Sequence, residues 1–231
     1  MTFADARKEA ERWAQIEKDD PDFALLHYAE IGHVVKVKKL LNRGADANAV
    51  LEIDTGIERV KDTPLYASAG AGHLPVAQAL MAAGADVDIE ADDGWRPVHH
   101  ATLNGQSAMV SFLAASGADI NHREALEGQT PLHIACARSD DKTVAALVKA
   151  GARRDIRDDL GRVPEDIIGA IAGATRDTQD KKRKNGSIRQ IFADAADADR
   201  ARAQAAAQAL MTLQKDIDVA KPLTVRRRSP K

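Results

Sequence analysis

The residues that could bind a metal or act in catalysis are few, and their spacing suits neither task. The chain of 231 residues has a single cysteine, Cys136, so it can form neither an internal disulfide nor a cysteine-rich zinc site. His33 and His73 each follow a glycine, and the adjacent His99 and His100 diverge on a helix. We therefore predict that no metal and no cofactor is bound.

The adjacent carboxylate pairs Asp92-Asp93 and Asp158-Asp159 fall among turn residues, which indicates solvated loop acids. The sequence contains neither a spaced carboxylate pair suited to glycoside hydrolysis nor a glycine-rich phosphate loop. The enzymatic alternative would place chemistry in residues 173–231, which contain no histidine or cysteine. We therefore expect a protein that is not an enzyme and has no catalytic residues.

The composition indicates a helical protein, in which helices position the functional surface. Hydrophobic residues make up 44% of the chain and aromatic residues only 3%, whereas alanine contributes 44 of the 231 residues. Such a composition favours helices packed through small side chains over a β-sandwich or barrel. The sequence has no signal peptide and no apolar run of about 18 residues, so we expect a cytoplasmic protein without membrane contact.

Three motifs recur with a period near 33 residues. A proline recurs at positions 64, 97, 131 and 164, and at 64 and 131 it follows threonine, a residue type that caps helices. A Gly-Ala pair recurs at 44–45, 84–85, 117–118 and 151–152. A glycine followed by histidine or glutamine lies between them at 32–33, 72–73 and 105–106. Phased motifs of this kind are typical of repeat proteins.

Each motif has a physical role. Thr63 and Thr130 can cap a helix whose first turn holds the next proline, where a missing N–H costs nothing. Gly72 and Gly105 can end those helices in the left-handed conformation. Apolar residues at helical spacing then predict a second helix, and turn residues predict a projecting loop. Each unit is therefore predicted to be helix, turn, helix and loop.

Thr130-Pro131-Leu132-His133 and Thr63-Pro64-Leu65-Tyr66 resemble the threonine-proline-leucine-histidine motif of ankyrin repeats. The resemblance covers residues 22–172 and implies an all-α ankyrin-repeat solenoid with four full units and a degenerate last unit from Gly161. The predicted units are 22–48, 62–88, 94–121 and 128–155. The first unit lacks the threonine-proline pair and reads Asp22-Phe23-Ala24-Leu25, and residues 1–21 are predicted to form an N-terminal capping helix.

The resemblance also assigns roles to side chains. It implies that His99 and His133 bond to turn backbone and tie adjacent loops, and that Cys136 is inert core. It further implies a non-enzymatic protein-protein interaction module or adaptor that binds a partner protein through loop tips and the concave face. The recognition positions carried over are Asp92, Asp93, Trp95, Leu103, Asn104, Leu126, Glu127, Gln129, Ala137, Arg138, Leu160 and Arg162.

Trp95 is the position that most favours partner binding, because a large aromatic side chain at a loop tip is suited to anchor an interface. The alternative is that it packs sideways on the neighbouring loop. The acids around it favour a basic or mixed partner surface.

The loop between the first two units is about seven residues longer than the period requires. Leu51, Ile53, Ile57 and Val60 alternate with polar residues around a Gly-containing turn, which predicts a β-hairpin. Leu51, Ile53 and Ile57 are therefore a second candidate contact for a partner. The alternative is an insertion that packs on its neighbour.

The C-terminal segment differs in charge from the rest. Residues 173–231 carry 14 Lys and Arg against 7 Asp, whereas residues 1–172 carry 19 Lys and Arg against 28 Asp and Glu. We predict a basic linker over 173–186, an Ala-rich helix over 187–218 and a disordered basic tail over 219–231. The helix is predicted to pack on the repeats, to self-associate or to stand free, and the protein is otherwise expected to be a monomer.

Two basic clusters support an alternative function, that of a nucleic-acid-associated or nuclear-targeted regulator. The clusters are Lys181, Lys182, Arg183 and Lys184, and Arg226, Arg227 and Arg228. The first resembles a nuclear import signal, which would apply in a eukaryotic cell. A second alternative is a bacterial effector or an immunity or inhibitor protein, because ankyrin stacks serve in all of these settings.

Overall fold

The computed structural model describes residues 3–54, 59–170 and 178–219. The chain divides into two compact units, Met1–Ile191 and Phe192–Lys231. Ile57, Arg226, Arg227 and Arg228 lie outside the described residues, as do 173–177 of the predicted linker and all but Val219 of the predicted disordered tail.

Among the described residues, the compact unit Met1–Ile191 contains a leading helix, four helix pairs, a hairpin and the start of a long C-terminal helix. The leading helix α1 spans Phe3–Asp19. The pairs are α2 (Pro21–Glu30) with α3 (Val34–Leu41), α4 (Pro64–Ala71) with α5 (Leu74–Ala82), α6 (Pro97–Leu103) with α7 (Ser107–Ala115), and α8 (Pro131–Ala137) with α9 (Asp141–Lys149). A 3-10 turn, Pro164–Ile167, stands where a fifth pair would begin. The helix-turn-helix-loop architecture predicted from the sequence is therefore confirmed.

The first helix of each unit begins and ends by the predicted chemistry. The Thr63 side chain accepts a hydrogen bond from Tyr66 N at 3.2 Å, and the following proline occupies the first turn of α4. Gly72 ends α4 with φ +76°, a conformation that favours glycine. Glycine at this point therefore stops one helix and starts the turn to the next.

The first repeat unit, predicted over residues 22–48, begins earlier in the structure than the sequence indicated. Helix α2 begins at Pro21 and is capped by Asp20, whose Oδ1 accepts from Phe23 N at 3.0 Å. The pair Asp20-Pro21 thus does for α2 what Thr63-Pro64 does for α4. Alignment on the repeat period placed the start at Asp22 and missed this pair, because α2 has 10 residues where α4 has 8.

Leucines that are inaccessible to solvent form the core between the helix pairs. Leu25, Leu65 and Leu132 come from first helices, and Leu40, Leu80, Leu113 and Leu147 from second helices. Small residues such as Ala69, Ala101 and Ala135 are also fully buried and allow the first helices to approach closely. Each helix pair therefore buries its apolar face against its neighbours, as stacked repeats do.

Hydrogen bonds between successive loops hold the units in register. In each bond an Asn or Asp side chain accepts from a backbone N–H of the next unit. The bonds are Asp86 N to Asn48 Oδ1 (2.7 Å), Asp119 N to Asp88 Oδ1 (3.1 Å) and Arg153 N to Asn121 Oδ1 (2.8 Å). This ladder fixes how each loop sits on the one before it.

Helix α1 covers the open end of the stack, which confirms the predicted capping helix. The Trp13 ring stacks on His27 with a centroid distance of 3.9 Å. Glu17 is buried and accepts hydrogen bonds from the Tyr28 hydroxyl, at 3.0 Å, and from Lys36. Burial alone would raise the pKa of Glu17, but these two hydrogen bonds and the Lys36 charge hold it below its ordinary value.

The insertion between the first two helix pairs forms the predicted hairpin. Strands β1 (Leu51–Asp54) and β2 (Arg59–Asp62) pair antiparallel, with Leu51 opposite Asp62 and Ile53 opposite Val60. Lys61 N donates to Asp92, so the base of the hairpin is tied to the loop that precedes α6. Leu51 and Ile53 are half-buried.

Helix α10 spans Thr178–Val219 and begins nine residues before its predicted start. Lys182, Arg183 and Lys184 therefore lie within a helix rather than a linker; the Lys181 side chain is outside the described part of the structure. Arg183 and Lys184 form ion pairs with Asp180 at 2.9 and 3.2 Å, and such i,i+3 and i,i+4 pairs support a helix. Ile188 is fully buried, which gives this segment an apolar anchor.

Residues 192–219 of α10 belong to the second unit. Leu210 and Met211 are 68% and 66% exposed there. Within the described residues, no helix has the length and apolarity needed to cross a bilayer.

Candidate partner-binding cleft

A cleft of about 440 Å³ opens between the loops that precede α6, α8 and the 3-10 turn. Its apolar lining is Trp95, Leu103, Leu126, Ile134, Ala137, Ile167 and Ala170, and its polar lining is Glu124, Glu127, Gln129 and Arg162. Seven of these eleven residues are positions that the sequence predicts for recognition: Trp95, Leu103, Leu126, Glu127, Gln129, Ala137 and Arg162.

The repeat places three of the lining residues in equivalent positions. Trp95, Gln129 and Arg162 each stand two residues before the proline that opens a helix or turn. Each carbonyl closes its own loop: Trp95 O accepts from Ala91 N at 2.8 Å, Gln129 O from Glu124 N at 3.0 Å and Arg162 O from Asp158 N at 2.9 Å. Successive loops therefore present these side chains as a row along one face of the stack.

Two buried carboxylates hold the loops that carry the row. Glu124 is 4% exposed and accepts from the backbone N–H groups of Leu126, Glu127 and Gln129, at 2.6, 3.0 and 2.8 Å. A carboxylate that accepts three backbone hydrogen bonds closes its loop tightly. Sequence reasoning did not single out Glu124; the signal that could have found it is an acid shortly before the loop glycine Gly128.

Asp158 plays the same part in the next loop. Its Oδ1 accepts from Leu160 N at 3.0 Å and from Arg162 N at 2.8 Å, and its Oδ2 accepts from Arg162 Nε at 2.8 Å. Burial would raise the pKa of Asp158, but these hydrogen bonds and the Arg162 charge hold it below its ordinary value. The acid that the sequence indicated as solvated is therefore a buried loop anchor, whereas its neighbour Asp159 is exposed and pairs with Arg123.

Trp95 contacts its own helix on one side and is open to the cleft on the other. Its ring lies 5.7 Å from the His99 ring at 58°, so one side packs on the base of its own helix. The remaining surface lines the cleft and the residue is half-buried. Leu126, at the tip of the next loop, is 65% exposed.

The two histidines at the repeat position, His99 and His133, are hydrogen-bonded to backbone on both sides of the ring. His99 Nδ1 accepts from Arg96 N at 3.3 Å, which leaves Nε2 to donate to His122 O at 3.1 Å. His133 repeats this arrangement, with Thr130 N at 3.2 Å and Arg162 O at 3.0 Å. Burial lowers the pKa of His99 to about 4, so its imidazole is neutral at pH 7. These bonds tie each loop to the next, as the repeat position implies.

The lone cysteine lies in the core of the stack. Cys136 is fully buried, and burial raises the pKa of its thiol far above the ordinary value. In the described parts of the chain, no three His, Cys, Asp or Glu side chains group as metal ligands would.

The other predicted site residues lie outside the lining of the cleft. Asp93 is exposed with φ +56°, Asn104 and Arg138 are exposed at the ends of α6 and α8, and Leu160 is 72% exposed at its loop tip. Asp92 bonds to the hairpin backbone at Lys61 N. Conversely, Glu124, Ile134, Ile167 and Ala170 line the cleft without having been predicted, because their contribution depends on how neighbouring loops meet.

Comparison with known proteins agrees with this architecture. The family model described as ankyrin repeats in three copies matches residues 25–124 and again residues 66–158, so that together the matches cover more than half of the chain. The chain therefore belongs to the ankyrin-repeat family and is a protein-interaction module.

The chain is similar to protein phosphatase 1 regulatory subunit 27 of Mus musculus, with 36% identity over 93 residues, which are 40% of this chain and 60% of that protein. It is 29% identical over 173 residues to mitochondrial disaggregase of Bos taurus, covering 71% of this chain and 24% of that protein. It is 31% identical over 106 residues to cyclin-dependent kinase 4 inhibitor B of Bos taurus, covering 46% of this chain and 80% of that protein. The chain thus spans less than two thirds of the length of the first two relatives.

Proposed function

We propose that this protein is a non-enzymatic adaptor that holds a partner protein in the cleft between the loops that precede α6, α8 and the 3-10 turn. The observation that carries the proposal is the convergence of Trp95, Gln129 and Arg162 on one apolar cleft. Two of the relatives are named as a regulatory subunit and as an inhibitor, which are roles exercised by binding another protein.

The cleft has the features of an interface centre. A tryptophan wall and an exposed leucine are suitable anchors, because aromatic residues in well-packed pockets dominate binding energies. The titratable side chains beside it are used by the fold: His99 and His133 bond to backbone, and Glu124 and Asp158 close loops. Recognition therefore accounts for the arrangement without a reaction.

The test is affinity capture from an extract of the native cell, with the full chain compared with single variants. Trp95→Ala and Leu126→Ala are expected to weaken retention of the partner at least tenfold, because truncated interface anchors cost about 2 kcal/mol or more. Val35→Ala is the matched control, since Val35 is 69% exposed and lies on α3, away from the cleft.

Equal retention by Trp95→Ala, Leu126→Ala and the parent would contradict the proposal. Capture in the presence of nuclease and at high salt tests the alternative of nucleic-acid association, because binding through basic clusters weakens steeply with salt.

A further inference from the structure

We infer that the cleft takes an extended partner segment in which a bulky apolar side chain is flanked by lysine or arginine. This inference rests on the proposed function and adds to it the chemistry of the partner.

The apolar part of the inference comes from the floor of the cleft. Leu103, Ile134 and Ile167 reach it from α6, α8 and the 3-10 turn, and Trp95 forms a wall. A volume of about 440 Å³ lies within the range of roughly 300 to 1,000 Å³ that is usual for ligand pockets. An occupant that removed this surface from water would need a large apolar side chain of its own.

The cationic part comes from the charges that line the cleft. Arg162 is neutralised by Asp158, whose side chain is fully buried, across a Nη2–Oδ2 distance of 2.8 Å. The carboxylates of Glu124 and Glu127 face the same cleft, and in the described residues neither has a cationic partner within ion-pair distance. Glu127 accepts from the neutral amide of Gln129. The lining is therefore net negative.

Two further arginines lie in the elements that carry the lining residues, Arg123 before α8 and Arg138 at its end. Arg123 pairs with Asp159 and donates to Gly128 O at 2.9 Å, so its charge is balanced. Arg138 is exposed at the end of α8 and does not line the cleft. Residues 1–172 carry 28 acidic against 19 basic residues, so the surrounding field also favours a basic partner.

The row of equivalent positions accounts for an extended segment. A chain that runs along the stack would meet Trp95, then Gln129, then Arg162, one per unit. Its apolar side chain would fill the cleft beside Trp95 and Leu126, and a neighbouring lysine or arginine would reach the carboxylate of Glu127.

The experiment is a selection of phage-displayed random 12-residue peptides on the immobilised full chain, followed by anisotropy titration of the enriched peptides. We expect the enriched peptides to place a bulky apolar residue next to Lys or Arg. Trp95→Ala should weaken their binding at least tenfold. Glu127→Gln should weaken it at least threefold and reduce its dependence on salt.

The matched control is Glu165→Gln, because Glu165 is an exposed carboxylate that does not line the cleft, and its change should leave affinity within twofold. Acid-rich peptides, no enrichment, or peptides indifferent to Glu127→Gln would overturn the inference. If acid-rich peptides, or peptides indifferent to Glu127→Gln, still required Trp95 for binding, the inferred partner chemistry would be wrong and the proposed function would stand. Peptides indifferent to Trp95→Ala would contradict both.

Discussion

At the scale of single residues, the position two residues before the helix-opening proline lines the cleft in the later units but not in the second unit. In the later units it carries Trp95, Gln129 and Arg162, which line the cleft. In the second unit it carries Asp62, at the end of the hairpin. Burial, together with the charges of Glu30 and Asp92, raises the pKa of Asp62 to about 6, while its hydrogen bond from Thr63 N works in the other direction.

Asp62→Asn should therefore stabilise the protein at neutral pH. The folded state holds the Asp62 proton up to about pH 6, whereas the unfolded chain releases it near pH 3.8, so parent stability falls as pH rises through this window. Asparagine keeps an acceptor for Thr63 N and lacks the charge. The melting temperature of the variant should exceed that of the parent at pH 7.5, and the difference should shrink at pH 4.5.

The control for this comparison is Asp93→Asn, because Asp93 is an exposed carboxylate in a nearby loop. A melting difference for Asp62→Asn that did not change between pH 4.5 and 7.5 would show that the carboxyl of Asp62 is not perturbed.

The sequence predicted the apolar side chains of the cleft better than the buried carboxylates that hold its loops. Trp95 and Leu126 could be predicted because the repeat fixes which loop positions are exposed. Glu124 and Asp158 could not be separated from ordinary loop acids, because their burial and backbone hydrogen bonds depend on the closed loop conformation.

At the scale of elements, two glycines lie inside helices and have opposite surroundings. Gly70 in α4 is covered by the ring of His100. This ring stacks on Tyr66 with a centroid distance of 4.2 Å, and its Nδ1 donates to the backbone carbonyl Tyr66 O over 3.0 Å. Gly186 in α10 has nothing near its missing Cβ.

Gly70→Ala should destabilise the protein and Gly186→Ala should stabilise it. Alanine is favoured over glycine in a helix by about 1 kcal/mol, but at Gly70 its methyl group would overlap the His100 ring. Urea unfolding of each variant gives both free-energy changes. In the double variant Gly70→Ala, His100→Ala, the loss of unfolding free energy caused by Gly70→Ala should be smaller than in the single variant. If the two single losses simply added, the alanine methyl group would not be clashing with the His100 ring.

Helix ends were predictable where the repeat is regular and were missed where it is not. Thr63 and Gly72 bound α4 as expected. Asp20-Pro21 starts α2 two residues earlier than the period indicates, and α10 extends through Asn185-Gly186, which the sequence suggested as linker. In the second case the ion pairs of Asp180 and the burial of Ile188 outweigh the weak helix propensity of asparagine and glycine.

At the scale of the whole molecule, stability depends on interfaces between neighbouring units. Leu132 in α8 is fully buried, and α8 contacts α6, α9 and the final 3-10 turn. Ile167 lies in that turn, at the end of the stack, and is 4% exposed.

Leu132→Ala should cost about 2 to 5 kcal/mol of unfolding free energy, the usual range for a buried leucine. Ile167→Ala should cost less, because the main contact of the terminal turn in the described residues is with α8, whereas α8 itself packs against three elements. Chemical denaturation followed by circular dichroism measures both. Equal losses, or a Leu132→Ala variant that melts like the parent, would show that the interior interfaces are not the stronger ones.

The fold of the repeat region could be predicted almost completely from the sequence, because every motif has a local physical role. The cleft could be predicted only in part. Its volume and net charge arise where three loops meet, and Ile134, Ile167 and Ala170 carry no sequence signal of that meeting.

The anchoring of loops by Glu124 and Asp158 has a consequence for the thermodynamics of recognition. Backbone N–H groups of both tips are bonded to these carboxylates in the protein alone, so the loops are ordered without a partner. Ordering a loop on association consumes conformational entropy, and a surface that is already ordered avoids that loss. In the proposed complex, the exposed Leu126 would therefore contribute nearly its full hydrophobic free energy.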